Sequence, residues 1–290
     1  MKIEVPEQLA IHHGGQDLLP GGLKFAETFE LWGGMRPGMT ALDIGCGPGR
    51  MALGIGSRFG WDTRYDGFDI KKADIDFCQS EIGAKFPSFR FHHFDLFNDH
   101  YSWLNRARSQ SNPQAASIWQ RLGRIFGLGQ GTPEVVDDKA RADADFVGQL
   151  ASATSVRFPA DDKTVDFVFA TSIYTHFFVD DIRHYLAETA RVCRGRSLSS
   201  WFLIDERFEQ GGKAGTLRFD FPHRAKDGTY FQHEKSPLDA VGHSLESVIA
   251  MHEEAGLKVV GVYEGGWTGR ANVTKNPLRH SQDVVVAEPI

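Results

Sequence analysis

The N-terminal third of the chain alternates between short apolar runs and segments with apolar side chains at helical spacing. Phe25, Phe29 and Trp32 share one face, which predicts a leading helix over residues 23–32. The same pattern predicts strands over 40–44, 64–69 and 89–94, with helices over 51–59 and 71–81. This β-α-β-α-β order implies a parallel sheet with right-handed crossovers.

The alternation stops after residue 95 and resumes near residue 165. We interpret residues 104–152 as a polar, lid-like insertion, because it is too long for a plain connection. Its amphipathic part, residues 118–126, is expected to form a lid or dimer contact rather than a membrane-surface helix. Beyond the insertion the pattern predicts the following elements: strands over 165–170, 201–204, 258–262 and 283–287, a helix over 180–193 ended by Gly195, and a helix from Ser244 to Gly256.

These elements predict an α/β fold class with a doubly wound, mostly parallel seven-stranded sheet and an antiparallel edge strand formed by the last two strands. Residues 207–243 are rich in Gly, Phe and His but have no period. We expect them to form a loop over the carboxyl end of the sheet, where ligands bind in this architecture. Because the chain has neither repeats nor low-complexity tracts, residues 1–290 are interpreted as a single domain.

The composition of the chain limits the binding partners and the compartment that can be expected for it. Hydrophobic residues make up 41% of the chain and charged residues 24%, which is typical of folded globular proteins. The net charge of −6 gives no global attraction to phosphate backbones, so no nucleic-acid partner is expected. The chain has three scattered cysteines, Cys46, Cys78 and Cys193, which do not suggest a disulfide framework or a zinc site. Free thiols favour a reducing compartment, by default the cytoplasm. The chain shows neither a signal peptide nor an apolar run of about 20 residues, so stable membrane insertion is not expected.

A glycine-rich segment follows the first predicted strand. Gly45, Gly47 and Gly49 have no Cβ, so the backbone there can pass close to a ligand. Asp69 ends the next strand, where a carboxylate can accept hydrogen bonds from both ribose hydroxyls. Asp43, just before the glycines, suits the positively charged methionine end of S-adenosylmethionine and opposes a pyrophosphate. The pattern therefore predicts an adenosine-type ligand and disfavours a nicotinamide dinucleotide.

Three motifs carry a family resemblance. The stretch Leu42-Asp43-Ile44-Gly45-Cys46-Gly47-Pro48-Gly49-Arg50 resembles the first motif of class I S-adenosylmethionine-dependent methyltransferases, in particular the bacterial small-molecule type. Tyr65-Asp66-Gly67-Phe68-Asp69 resembles that family's ribose-binding strand, and Phe94-Asp95-Leu96 its adenine-binding turn. The resemblance covers residues 24–103 and 153–290. It implies a Rossmann-like methyltransferase fold, S-adenosyl-L-methionine as cofactor and a small-molecule acceptor.

The cofactor-binding residues predicted on this basis are Asp43, Gly45, Cys46, Gly47, Gly49, Arg50, Asp69, Ile70, Asp95, Leu96 and Thr171. Two features depart from the family pattern. The insertion at 104–152 is absent from its compact form, and Gly195-Arg196 stands where a double glycine is usual. These departures concern the lid and the substrate rather than the fold.

His176 is the first candidate for a general base. It follows the fourth predicted strand, and an imidazole titrates in the range that removing a hydroxyl proton requires. The alternative interpretation is a structural histidine that caps the next helix. Asp205 and Glu206, after the fifth strand, are the other candidates, either as base or for binding an acceptor amine. No metal site is expected, because His223, His233 and His243 lack a metal-ligand spacing.

Two missing motifs narrow the acceptor. The segment after strand four has neither an Asn-Pro-Pro-aromatic nor an Asp-Pro-Pro-aromatic sequence, and no Pro-Cys pair supplies a covalent nucleophile. We therefore predict O-methylation of a hydroxyl on a small molecule, such as a sugar or secondary metabolite. Two hypotheses stay beside it. One is a non-catalytic S-adenosylmethionine-binding partner or sensor, and the other is a nicotinamide oxidoreductase.

Overall fold

The computed structural model describes residues 3–10, 16–94, 96–97, 151–152, 156–269 and 280–290. Its main sheet has seven strands, which are, in spatial order, β12 (Leu257–Tyr263), β13 (Asp283–Pro289), β7 (Cys193–Trp201), β6 (Val165–Ala170), β1 (Thr40–Ile44), β2 (Arg64–Asp69) and β3 (Phe89–His93). Strands β7, β6, β1, β2 and β3 are parallel to one another. The predicted α/β sheet is confirmed, and β1, β2 and β6 have the predicted bounds.

The antiparallel strand lies one position inside the sheet rather than at its edge. β13 is antiparallel both to β7 and to β12, so β12 runs in the same direction as the parallel strands. The expected antiparallel pair therefore forms, but the edge strand itself is not the reversed one. The reason is that β13 returns between β7 and β12 and hydrogen-bonds to both.

Helices cover both faces of the main sheet. The α-helices of the described residues are α1 (Glu7–Ala10), α2 (Leu19–Leu31), α3 (Arg50–Phe59), α4 (Lys72–Cys78), α5 (Val179–Val192), α6 (Glu206–Ala214) and α7 (Leu245–Glu254), and a π-helical turn at Gln79–Gly83 continues α4. One hydrophobic cluster includes residues of α2 and α3, and a second includes residues of α5 and α7. Ser244 caps α7 by accepting the backbone amide of Ser247 at 3.1 Å, as its position before the helix predicts.

Helices α2 and α3 pack through two glycines. A Cβ on Gly54 would lie 2.1 Å from the carbonyl oxygen of Gly22, and a Cβ on Gly22 would lie 2.2 Å from that of Arg50. Backbone therefore touches backbone at this crossing, and no larger side chain fits there. This contact places α2 beside the start of α3, close to the glycine loop.

The sequence suggested that Gly195 ends the helix before it, but in the structure it does not. α5 ends at Val192 and β7 begins at Cys193, so Gly195 lies inside a strand. A Cβ there would lie 2.2 Å from the carbonyl oxygen of Asp166 on β6, at an irregular point in the pairing. The glycine therefore serves close strand contact rather than a helix cap. The fifth strand of the main sheet also spans 193–201 and not 201–204.

Residues 203–244 contain more regular structure than the predicted loop. A second sheet has four short strands in the order β8 (Leu203–Ile204), β11 (Val241–Ser244), β10 (Tyr230–Phe231) and β9 (His223–Arg224). A short 3₁₀ helix, Pro237–Asp239, precedes β11. Side chains of this region pack around Trp267 in a third hydrophobic cluster. Two-residue strands are too short for a period to show, which is why the pattern predicted a loop.

Most of the insertion predicted at 104–152 lies outside the described residues. Only its last two residues are described, and Ala151–Ser152 (β5) pairs in parallel with Leu96–Phe97 (β4). The lid-like role of this segment and the single-domain interpretation stay predictions. Within the described ranges, no helix has the length and apolar character to cross a bilayer.

Candidate functional site

The central parallel strands end at one level and bring three predicted site residues together. Ile44, the last residue of β1, pairs with the penultimate residue of β2 and with the last residue of β6. Gly45, Asp69 and Thr171 therefore stand side by side at the carboxyl edge of three neighbouring strands. The strand order reverses between β1 and β6, and ligands bind at such a switch point in open α/β sheets.

The loop from β1 to α3 turns on its three glycines. Their φ angles are +75° at Gly45, +50° at Gly47 and +86° at Gly49, in the left-handed region that residues with a Cβ rarely adopt. The amides of Gly45 and its successor both donate to one carbonyl of β2, at 2.9 and 3.0 Å. Gly47 donates its amide to Oδ2 of Asp69 at 2.9 Å. The loop is thus hydrogen-bonded to the end of β2.

Asp69 organises the junction of β2 with the glycine loop. Its Oδ1 accepts the backbone amide of Lys71 at 2.9 Å, while Oδ2 accepts that of Gly47. Burial raises the pKa of Asp69, and these hydrogen bonds oppose the shift. Ile70, between Asp69 and Lys71 in the chain, is half-buried, and its carbonyl accepts a hydrogen bond from Nε2 of His93 at 3.2 Å. Each oxygen of Asp69 thus holds one amide and keeps a further lone pair.

Asp43 lies fully buried at the end of β1. Oδ2 accepts the hydroxyl of Tyr65 at 2.6 Å, and among the described residues Oδ1 has no hydrogen-bond partner. Burial raises the pKa of Asp43 to about 7; the Tyr65 hydrogen bond opposes this shift and the nearby Asp69 charge adds to it. The carboxyl group is therefore poised to change its charge near neutral pH.

Arg50 flanks the other end of the loop. Its Cδ is 3.3 Å from the position that a Cβ on Gly21 of α2 would occupy. Nε is buried and meets no hydrogen-bond acceptor in the part of the chain that the structure describes. Burial lowers the pKa of Arg50, and the charge of Asp43 opposes that shift. A buried acceptor on Asp43 and a buried donor on Arg50 therefore flank the same loop, and neither has a hydrogen-bond partner within the described ranges.

Negative charge collects around the loop. Burial raises the pKa of both Cys46 and Cys78 well above the usual thiol value, and the charges of Asp43, Asp69 and Asp74 raise each of them further. Cys78 donates its thiol to the carbonyl of the middle loop glycine at 3.4 Å. Both cysteines are therefore neutral thiols. Three carboxyl groups face the loop region, offset in part by the guanidinium that follows it.

His176 closes a short 3₁₀ helix, Tyr174–His176, after β6. Its Nδ1 lies 2.9 Å from the carbonyl oxygen of Leu238 in the 3₁₀ helix before β11. Because a carbonyl can only accept, Nδ1 carries the proton and Nε2 carries the lone pair. Burial lowers the pKa of His176, the Leu238 hydrogen bond opposes this, and the charge of Lys71 lowers it further. His176 is therefore a neutral imidazole with Nε2 as a proton acceptor.

Asp205 has a structural role that competes with the predicted catalytic one. Oδ1 accepts the amides of Arg207 and Phe208, at 2.9 and 3.4 Å, so Asp205 is the N-cap of α6. Oδ2 accepts Nε of Arg207 at 2.6 Å. Glu206 is exposed in the first turn of the same helix. Both oxygens of Asp205 are thus engaged within α6, and the catalytic roles of His176, Asp205 and Glu206 stay predictions.

Trp267 and His243 belong to the interior of the protein. Trp267 is fully buried and donates Nε1 to Asp283 at 2.7 Å, so it packs in the third hydrophobic cluster. His243 is also buried, Nε2 bonds the carbonyl of Phe177 at 3.1 Å, and burial lowers its pKa to about 4. Within the described ranges, no group of His, Cys, Asp and Glu has a metal-binding arrangement.

The structure adds two residues that the sequence did not single out. Ser172 has φ +60°, which is uncommon for a residue with a Cβ, and it stands directly after Thr171 at the carboxyl edge. Its hydroxyl donates to Gln282, from the segment before β13, at 3.0 Å. The next residue, Ile173, covers the loop: a Cβ on Gly45 would lie 2.1 Å from its Cδ1. Only unusual backbone geometry marks this turn, and sequence periodicity does not reveal it.

Two predicted cofactor residues cannot be placed in the site. Asp95 lies outside the described residues. Leu96 belongs to β4, and the structure describes its backbone alone. The adenine-binding turn therefore stays a prediction, whereas the glycine loop, Asp69, Ile70 and Thr171 have described positions.

Comparison with known proteins found no matching family model. Solved structures with a similar backbone include a chain of a Haloferax volcanii complex that contains a methyltransferase activator, at 13% identity and TM-score 0.49, covering 93% of this chain and 91% of that one. A SAM dependent methyltransferase from Aquifex aeolicus matches at 16% identity and TM-score 0.43, over 93% and 94% of the two chains. Magnesium protoporphyrin IX methyltransferase from Synechocystis PCC 6803, with bound SAH, matches at 12% identity and TM-score 0.45, over 94% and 86%. At such low identities, the function of this chain has to be argued from its own residues.

Proposed function

We propose that the protein is an S-adenosylmethionine-dependent methyltransferase that methylates a hydroxyl oxygen of a small molecule. The observation that carries the proposal is a pair of buried polar atoms that flank the glycine loop, Oδ1 of Asp43 and Nε of Arg50, neither of which has a hydrogen-bond partner among the described residues. Leaving such atoms unpaired costs about 1 to 3 kcal/mol each, so a ligand that pairs with both would be stabilised at this loop. The methionine end of the cofactor carries both an ammonium and a carboxylate, which match this acceptor and this donor.

The loop between these two residues suits the rest of that cofactor. Its left-handed glycines bring backbone to the carboxyl edge without a Cβ, and α3 begins directly after it with the positive end of its dipole. Asp69 holds the loop amide and has lone pairs left on both oxygens for the ribose hydroxyls. Thr171 stands on the other side of Gly45, at the end of β6. These residues would bind the adenosine and methionine portions.

The charge around the loop distinguishes this ligand from a dinucleotide. Asp43, Asp69 and Asp74 concentrate negative charge there, and a pyrophosphate would be repelled by it. A sulfonium cation is attracted by the same charge. This electrostatic argument supports S-adenosylmethionine over a nicotinamide dinucleotide, which was the competing ligand for a glycine loop of this kind.

When bound, the cofactor supplies an electrophilic methyl group, and the chain's task is to orient the acceptor and take up its proton. His176 has the features of that base: it stands after β6, its Nδ1–H is held by the Leu238 carbonyl, and Nε2 accepts. Because burial lowers its pKa, the imidazole is neutral and ready to accept at physiological pH. A hydroxyl acceptor needs such a base more than a neutral amine does, which supports oxygen as the acceptor atom.

Two measurements test the proposal in sequence. Isothermal titration calorimetry with S-adenosylmethionine and, in parallel, with NAD should give binding of the first alone. Release of S-adenosylhomocysteine is then followed across a panel of small hydroxylated, amine and thiol acceptors, with turnover expected for a hydroxylated one. Binding of NAD instead would overturn the cofactor assignment. Tight cofactor binding without turnover on any acceptor would replace the enzyme by a sensor or partner protein.

A further inference from the structure

One buried amide connects the ends of three strands beside the glycine loop. Oε1 of Gln282 accepts the hydroxyls of Ser172 at 3.0 Å and Ser200 at 2.6 Å. Its Nε2 donates to the hydroxyl of Thr175 at 3.5 Å. Ser200 also accepts the backbone amide of Ser172, at 2.7 Å. We call these four residues the Gln282 cluster; Gln282, Ser200 and Thr175 are at most 7% exposed.

The cluster stabilises a backbone conformation that is otherwise unfavourable. Ser172 has a left-handed φ of +60°, and a residue with a Cβ holds such a conformation only where its surroundings over-determine it. Here the amide and the hydroxyl of Ser172 are both hydrogen-bonded within the cluster. Gln282 stands 110 residues away in the chain, so this restraint exists only in the folded state.

The restrained turn lies between two parts of the proposed active site. Ile173, directly after Ser172, covers Gly45 of the glycine loop. Thr175, held by Nε2 of Gln282, directly precedes His176 in the same 3₁₀ helix. One side-chain amide therefore connects Ser172 and Thr175, the chain neighbours of the residue that covers the loop and of the candidate base.

We propose that Gln282 is a positioning residue for methyl transfer, which holds the turn 171–176 so that the cofactor loop and His176 keep one fixed arrangement. This inference rests on the proposed function. Gln282 does not act on the reacting atoms itself; it acts through Ser172 and Thr175. A merely structural buried amide would contribute to stability alone, and the two roles differ in what its removal changes.

The test replaces Gln282 by methionine, which keeps its length and removes all three hydrogen bonds. In Gln282→Met, NMR titration of the cofactor-free protein should show the pKa of His176 rising by about 0.5 or more toward the ordinary imidazole value, because a loosened 3₁₀ helix admits water. The charged side chain that acts on this imidazole, Lys71, is unchanged in the variant. Calorimetry should show S-adenosylmethionine affinity falling by about fivefold or more.

A second variant and a matched control protect the test against simple misfolding. Ser200→Ala removes one hydroxyl of the cluster and should change both readouts in the same direction by less. Ser197→Ala removes another buried hydroxyl of β7, which donates to the carbonyl of Ala287 at 3.4 Å, and should change neither. Thermal unfolding of all three variants reports stability separately.

The outcomes separate this inference from the proposed function. If the wild-type protein binds S-adenosylmethionine but both cluster variants keep the His176 pKa and the cofactor affinity of wild type, Gln282 has no positioning role. The same holds if Ser197→Ala shifts both quantities as much as Ser200→Ala does. If the wild type does not bind S-adenosylmethionine, the proposed function fails, and the coupling of Gln282 to His176 is still measured by the NMR titration.

Discussion

Removing the carboxylate of Asp69 tests the cofactor site most directly. Each oxygen of Asp69 accepts one backbone amide at 2.9 Å, from Gly47 on one side and Lys71 on the other. A carboxylate has about four acceptor positions, so one remains on each oxygen for the two ribose hydroxyls. Asp69→Ala therefore removes two hydrogen bonds to the ligand and also releases the amide of the loop glycine.

The magnitude follows from the hydrogen bonds lost. A hydrogen bond to a charged group contributes about 1.5 kcal/mol at the lower end of its range, so Asp69→Ala should weaken S-adenosylmethionine binding by about 2 to 3 kcal/mol. This corresponds to a Kd about 30-fold to 150-fold higher, measured by isothermal titration calorimetry. Asp69→Asn keeps one acceptor oxygen and should lie between the wild type and the alanine variant.

Asp66 on the same strand supplies the matched control. Its buried carboxylate accepts Nη2 of Arg90 at 2.6 Å and pairs with Nε2 of His92 at 2.8 Å, so it is also hydrogen-bonded, but to β3 rather than to the glycine loop. Asp66→Asn should change cofactor affinity by less than about threefold. An Asp69→Ala protein that is folded by circular dichroism and binds with wild-type affinity would refute the ribose assignment. Equal losses of cofactor affinity in the Asp66 and Asp69 variants would show that the effect arises from a disturbed β2 and not from lost hydrogen bonds to the ligand.

Three other perturbations address charge, chemistry and packing. Affinity for S-adenosylmethionine should fall by up to about tenfold per pH unit below about 7, because protonated Asp43 no longer attracts a cation; calorimetry across that range measures it. His176→Ala should lower turnover by about 10²-fold to 10⁴-fold at constant cofactor affinity, and the acid limb of the wild-type rate profile should lie below the ordinary imidazole pKa. Gly54→Ala should destabilise the fold by about 1 to 3 kcal/mol in urea unfolding, since its Cβ would lie 2.1 Å from the carbonyl oxygen of Gly22. Gly212→Ala should not destabilise it, because the atom nearest to the new Cβ would be 3.7 Å away.

Each of these has an opposing result. The direction of the pH dependence follows from the raised pKa of Asp43. A bound cation favours the ionised carboxylate, so cofactor affinity rises with pH up to about 7 and is level above it. Affinity independent of pH, or the same slope in Asp43→Asn, would exclude Asp43 as the titrating group. Turnover of His176→Ala within about threefold of wild type would leave the reaction without a histidine base. Equal stability of the Gly54→Ala and Gly212→Ala proteins would contradict the backbone contact between α2 and α3.

Sequence reasoning succeeded where a local pattern is sufficient. Buried strands between turns have sharp limits, so β1, β2 and β6 were predicted to the residue, and the glycines after β1 mark the loop without further information. The last two strands were predicted to form an antiparallel pair at the edge, and they do, but which of the two is reversed relative to the parallel strands depends on the strand order in the folded sheet. Gly195 was misinterpreted as a helix end, since the contact that requires a glycine there comes from β6.

The sequence by itself determined the α/β class, the glycine loop and the acidic residue that ends β2, because each depends on residues close together in the chain. Only the tertiary structure decided which ring nitrogen of the neutral His176 side chain can accept a proton, since the Leu238 carbonyl that binds Nδ1–H is 62 residues away in the chain. It also decided that Asp43 is fully buried with a pKa near neutrality, and that Gln282 restrains Ser172. Hydrogen bonding and desolvation depend on what surrounds a group in space, and that environment forms only when the chain folds.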